Sequence, residues 1–495
     1  MSEGTDVGPV RSHAGVAGRL ATFAATVALV PAAVVAAGGT PAGASAHPAA
    51  VARTAAAPGT ISTSAGGVGG PAKATKVALQ PCGVVAGSGY LYINATNTVR
   101  QVNATTDWLT TPAGTGVPGP LGDSGPAAKA SLNSDCGITR DHFGNEVIAD
   151  TFNGRIRVVA AHTRTYYGQA MTAGSIYTVA GRGTYGYRRD GVLATRAWLA
   201  QPRGVAVDAT GNLVIADTNN RRIRVVAAHT GSYYGQAMTA RHIYTVAGNG
   251  TYGFAGDGGP ATSAELYEPS SVIADRAGNL VIADADNYRI RVVAAHTGTF
   301  YGVPMTAGDI YTVAGDGTAG FSGDGGPAAS AEVSDVGWLA ADGTGNLVIA
   351  DSGNRRVRVL AGSTGTFYGQ AMTANHVYTV AGNGTPGFSG DGGPARQAGL
   401  SPGSAVVDAA GNVVIADGSN GQVRVVAART GTFYGQAMTA GDLYTVAGIS
   451  AVGFAGDGGP ATRAELSFPA AVAVTGQGGL VIADSLNNRI RAVAG

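Results

Sequence analysis

Gly211-Asn-Leu-Val-Ile-Ala-Asp-Thr-Asn-Asn-Arg-Arg-Ile-Arg-Val225 is the stretch on which the fold turns. Leu213 to Asp217 is a short apolar run rich in β-branched residues, which reads as a strand. Gly211-Asn212 before it and Asp217-Thr-Asn-Asn220 after it are turn chemistry: Gly and Asn tolerate positive φ, and Asp bonds its own backbone. Arg222-Ile-Arg-Val-Val226 is the next strand. Upstream, Gly204-Val-Ala-Val-Asp208 supplies another, and downstream Ile243-Tyr-Thr-Val-Ala247 a fourth. Around Pro260 and Ala261–Leu266 the pattern offers one short helical turn at most.

This unit recurs. Val-Ile-Ala-Asp ends at Asp150, Asp217, Asp284, Asp351, Asp417 and Asp484, at steps of 67 residues with a single step of 66. Four short antiparallel strands repeated in fixed register predict an all-β chain, a β-propeller of four-stranded blades. A degenerate unit precedes the six: Cys82-Gly-Val-Val, Tyr92-Ile-Asn94, Val99-Arg-Gln-Val102 and Trp108–Gly114. The last unit stops at Gly495 after its third strand, and Lys76-Val-Ala-Leu-Gln80 is available as the missing outer strand. Seven blades are favoured. Six, with the first unit as a cap, is the alternative. Cys82 and Cys136 open the first strand of adjacent units, so a disulfide between them is expected. It would close a loop worth up to about 4 kcal/mol in the chain-entropy picture.

Composition bounds the rest. Net charge is +1 and 13% of the 495 residues are charged, which leaves no footprint for nucleic acid. The 79 glycines lack a three-residue period and fit many tight turns. Residues 1–46 read as a signal peptide: Arg11 and Arg19, an apolar run from Leu20 to Ala37, then Ala44-Ser-Ala46 as the cleavage signal. Residues 47–75 are mostly Ala, Gly, Pro, Ser and Thr and read as a flexible linker. Residues 76–495 are the propeller. The expected location is secreted or extracellular, free or associated with the cell wall, with no membrane span after signal cleavage.

The Gly211–Val225 stretch resembles the core of NHL repeats. The segment Val246-Ala-Gly-Asn-Gly-Thr-Tyr-Gly-Phe-Ala-Gly-Asp-Gly-Gly-Pro-Ala261 is similar to the linkers of bacterial NHL-repeat proteins and of the teneurin-type NHL domain. The resemblance implies a propeller that is an interaction platform in most such proteins and an enzyme in a minority. Fold alone does not choose between them.

Candidate contacts lie in the loops. Tyr167, Tyr234, Tyr301, Tyr368 and Tyr434 each precede a methionine by four residues: Met171, Met238, Met305, Met372 and Met438. All sit between third and fourth strands, so they share one face, and aromatic and Met side chains suit a binding surface. The favoured reading is that they fold each loop onto its own blade, since such regular copies serve every blade alike. Asp257, Asp324, Asp391 and Asp457 lie in Gly-Asp-Gly-Gly-Pro turns, read as turn formers rather than Ca²⁺ ligands. Arg222/Arg224 and their repeats are expected to meet Asp or backbone carbonyls. Enzymes of related type need a metal at the central channel, yet small residues (Gly204, Ser271, Gly337, Ser404, Ala471) start the inner strands, and the histidines do not converge there. No catalytic residue, metal site or cofactor is expected. The favoured function is a non-catalytic platform for a protein or a cell-wall polymer, probed through an unknown protein or glycan partner. The alternatives are a metal-dependent lyase or hydrolase-like enzyme, and a spacer without a ligand.

Overall fold

The structure, a computed structural model, describes residues 57–66, 81–87, 90–95, 97–103, 109–133 and 137–494. Blade 3 shows the plan. Pro202–Val207, Leu213–Asp217, Arg222–Val226 and His242–Ala247 pair antiparallel in chain order, from the axis to the rim. The Leu213–Asp217 run is buried along its whole length, because its blade has a neighbour on each side. That is why these strands read as continuous apolar runs rather than as alternating ones.

Seven such sheets exist: blade 1 (81–113), blade 2 (138–180), blade 3 (202–247), blade 4 (269–314), blade 5 (336–381), blade 6 (402–447) and blade 7 (469–493 with 61–66). Val84 and Ile93 of blade 1 pack with Ala471 and Val481 of blade 7. Val85 packs with Ile138 and Ile148 of blade 2. The ring is closed, and seven rather than six is the blade number.

The strand that closes it is not the expected one. Ile61–Gly66 pairs with Arg489–Val493, inside the segment read as linker; residues 76–80 lie outside the described residues. The local chemistry explains the choice. Gly59-x-Ile-x-Thr-x-Ala-Gly66 repeats the outer-strand pattern Gly308-x-Ile-x-Thr-x-Ala-Gly315 of blade 4. Ile61 is fully buried, and its carbonyl accepts from the Gly458 N–H at 2.9 Å, as the Ile310 carbonyl accepts from Gly258 at 2.8 Å.

Strand directions alternate, so the blades have two distinct ends. The 1–2 turns and 3–4 loops emerge on one face, here the hairpin face. The 2–3 turns and blade-to-blade connections emerge on the other, the connection face. Each connection skirts the rim of the next blade before reaching its inner strand. Gly259–Pro260 adds two residues of fifth strand beside Asp309–Ala314. A proline there blunts an edge that would otherwise template aggregation. The following turn, Ala261–Ser263, is a single 3₁₀ turn, with Pro260 as its N-cap rather than its first residue.

Trp338, not Gly337, takes the place of Ser271, since Trp338 opposes Ala350 as Ser271 opposes Ala283. The Cys82–Cys136 bond falls outside the described residues. Among the described residues no helix is long and apolar enough to cross a membrane.

Candidate functional site

The tyrosines and methionines of the 3–4 loops are interior. Each loop is a hairpin, such as Gly231–Tyr233 with Gln236–Met238. Tyr234 and Gly235 form its two-residue turn with φ of +48° and +74°, the mirror-image geometry that matches strand twist. Tyr234, Tyr301, Tyr368, Tyr434 and all five methionines are buried, and Tyr167 is half-buried. Tyr167, Tyr234, Tyr301, Tyr368 and Tyr434 donate through their hydroxyls to Asp141, Asp208, Asp275, Asp342 and Asp408 at 2.8–3.2 Å. Those aspartates sit in the 1–2 turn of the same blade. Burial and the adjacent carboxylate push the phenol of Tyr301 well above its ordinary value, so it stays a donor. These ten side chains thus lie within the hairpins, nine buried and Tyr167 half-buried, and anchor each loop on its own blade.

The hairpins also lock blades together. A Cβ on Gly235 would meet the Cα of Gly308 in blade 4 at 3.0 Å. The series ends where Gly435 of blade 6 lies against Pro58, which leads into the closing strand. Blades 1 and 7 carry no such hairpin among the described residues.

The connection face is organised by arginine. Arg157, Arg224, Arg291, Arg358, Arg424 and Arg491 are fully buried, one in the third strand of each of blades 2 to 7. Arg291 pairs with Asp284 at 3.5 Å and with Asp257 at 2.8 Å, and donates to the Glu265 carbonyl at 2.6 Å. A buried guanidinium needs this many acceptors. Asp257 thus staples the connection to the blade, and its Oδ2 also accepts from the Thr312 N–H. Burial pushes Asp284 up to about 6, with Asn287, the Tyr267 N–H and Arg291 acting against it.

Just ahead of the staples of blades 3 to 7 stands an aromatic ring: Tyr187, Phe254, Phe321, Phe388 and Phe454. A second arginine lies under four of them, Arg222 under Tyr187 at 3.7 Å, Arg289 under Phe254 at 3.6 Å, Arg356 under Phe321 at 3.5 Å and Arg489 under Phe454 at 3.6 Å. Blade 6 has Gln422 there, and Phe388 is 56% exposed against 38–40% for the three phenylalanines with an arginine. In blade 4 a groove of about 330 Å³ opens beside the ring, lined by Phe254, Asp257, Arg289, Asp316 and Ser330. Of the seventeen exposed large hydrophobic residues described, only Tyr90 and Phe143 lie on the hairpin face; the rest are on the connection face. These rings were missed in the sequence, although each stands three residues before its aspartate.

The junction of blades 1 and 2 differs from the others. Glu146 is buried where Leu213, Leu280, Leu347, Val413 and Leu480 stand elsewhere, and it opposes Arg140 across the strand pair. Arg140 lies over the Tyr92 ring at 4.5 Å. Burial pushes Glu146 up to about 8, and Arg140 lowers it less.

Among the described residues no three His, Cys, Asp or Glu side chains are grouped to hold a metal. The described histidines, His142, His162, His229, His242, His296 and His376, all belong to the hairpin face.

The family described as Teneurin NHL domain matches residues 192–294. No curated protein matches the chain. Solved structures with a similar path include a streptogramin B lyase, at 10% identity over 84% of this chain and 93% of that one, TM-score 0.45. Another is a catalytically inactive virginiamycin B lyase from Staphylococcus aureus, at 11% identity over 86% and 98%, TM-score 0.46. The RRP9 WD40 repeats are a third, at 12% identity over 89% and 99%, TM-score 0.46. None of these likenesses bears on activity.

Proposed function

We propose, from the premise that this chain belongs to the NHL-repeat β-propellers, that it is an exported, non-catalytic binding platform working through its connection face. The observation that carries this reading is the one-sided distribution of exposed apolar residues. A monomeric surface spreads such residues out, and their concentration on one face marks an interaction site. Arginine-backed aromatic rings are also the side chains that dominate binding hot spots. The partner is a protein or a cell-wall glycan. Export is supported by the signal-like residues 1–46.

Both described ends of the chain support the same orientation. Gly59 donates to the Ala494 carbonyl at 3.0 Å, so the approach to the closing strand and the end of blade 7 meet on the hairpin face. A tether at either end leaves the connection face free.

The test is co-sedimentation of the purified protein with wall material of the producing cell. Phe321→Ser with Phe388→Ser should lower the bound fraction at least tenfold while the melting temperature holds. Ser232→Arg with Thr299→Arg, exposed on the hairpins, should leave it unchanged. The reverse pattern would reject the connection face.

A further inference from the structure

The side chains that line the blade 4 groove recur in the neighbouring blades, and the repetition bears on the partner. Blade 4 places Phe254 over Arg289, with Asp257 behind and Asp316 and Ser330 opposite. Blade 3 has Tyr187 over Arg222 with Asp190, and Asn249 and Ser263 at the opposite positions. Blade 5 has Phe321 over Arg356 with Asp324, and Asn383 and Gln397 opposite. Three consecutive blades thus present one set of groups at equal steps around the rim. Blade 2 breaks the series with Pro120 at the ring position, and blade 6 breaks it with Gln422 at the arginine position.

The chemistry of the set is specific. The guanidinium under each ring is committed inward. Arg289 donates to the carbonyls of Asn287 and Asp316, and Arg356 to those of Asn354 and Asn383. It stiffens the ring and leaves no fork open to clamp an anion. What remains towards solvent is an aromatic surface beside part-exposed carboxylate and carbonyl acceptors. At blade 4 one arginine and two aspartates line the groove, so no excess positive charge attracts a phosphate or a uronic acid. A ligand for this set needs an apolar C–H face to lie on the ring and hydroxyl donors for the acceptors. A sugar ring has both.

We infer, resting on the platform reading above, that the partner is a neutral polysaccharide held by the equivalent grooves of blades 3, 4 and 5. A polymer repeats its unit, and so does this rim, whereas a folded protein offers three equivalent contacts to no such arc. Weak single sites then sum by avidity, with gains on the order of 100-fold. Blade 6 lacks the set on both sides, with Gln422 in place of the arginine and Ile449 and Arg463 at the opposite positions.

The test uses wall material of the producing cell, treated with periodate to cleave sugar diols, with proteinase K, or left alone. The inference expects periodate to abolish capture and proteinase to spare it. It expects capture to persist in 0.5 M salt, where a contact between exposed charges would be screened. Phe254→Ala with Phe321→Ala should weaken capture on the order of 100-fold with unchanged melting. Capture lost to proteinase and not to periodate overturns the polysaccharide while the platform stands. Capture lost in salt points to an anionic polymer and overturns the neutral one. If neither Phe254→Ala with Phe321→Ala nor Phe321→Ser with Phe388→Ser changes capture, the connection face itself is rejected.

Discussion

A carboxylate at a place that five other blades give to Leu or Val makes Glu146 the most informative single residue. With burial raising it to about 8 from an ordinary 4.5, the folded chain holds one more proton than the unfolded chain between those values. Stability therefore falls as pH rises through that window, by up to about 1.4 kcal/mol per pH unit. Asp217, Asp284 and Asp417, raised to about 6, act in the same direction but lower in pH. Thermal melts should show a decline between pH 6 and 8 that Glu146→Leu removes, leaving below pH 6 the smaller slope due to the aspartates. A variant that keeps the decline would show that Glu146 is not its source. The sequence displayed this residue plainly, as the one acid ahead of a Val-Ile-Ala-Asp run. What it did not display was the burial that turns a charge into a liability, since burial comes from blade 1 packing across the junction.

At the scale of the element, the hairpins show how far periodicity can be read. Their position, their shared face and their five-fold recurrence were all legible. The regularity of the copies also favoured side chains turned back onto each blade; the means was not legible, because a Tyr at positive φ in a tight turn aims its ring over its own blade, a result of backbone geometry rather than of spacing. The tyrosine's role follows: Tyr301→Phe deletes one buried hydrogen bond to Asp275 and should cost about 1 kcal/mol. Melting should fall by a few degrees with partner capture unchanged at room temperature. The connection aromatics went unread for a related reason. Exposure of Phe254 or Phe388 depends on whether an arginine lies beneath, and only the folded register pairs Phe254 with Arg289. The closing strand was hidden by its composition: Thr60-Ile-Ser-Thr-Ser-Ala-Gly66 looks like linker until it is laid beside the outer strand of blade 4.

For the whole molecule, that strand decides whether the ring holds. Removing residues 1–56 should leave melting unchanged. Removing residues 1–66 should strip Ile61 from the core, about 1.5–3 kcal/mol for that side chain alone, and bare the edge at Arg489–Val493. Limited proteolysis should then cut first in blade 7, and equal resistance of the two truncations would refute the closure.

Ile61 lies opposite Val493 on the adjoining strand, so the ring closes through a contact between opposite ends of the propeller segment. Contacts so distant along the chain form late and slowly. Blade 7 is therefore completed only when segments from both ends of the propeller meet, and until they do, blades 1 to 6 make an unlatched arc with a raw edge at each end.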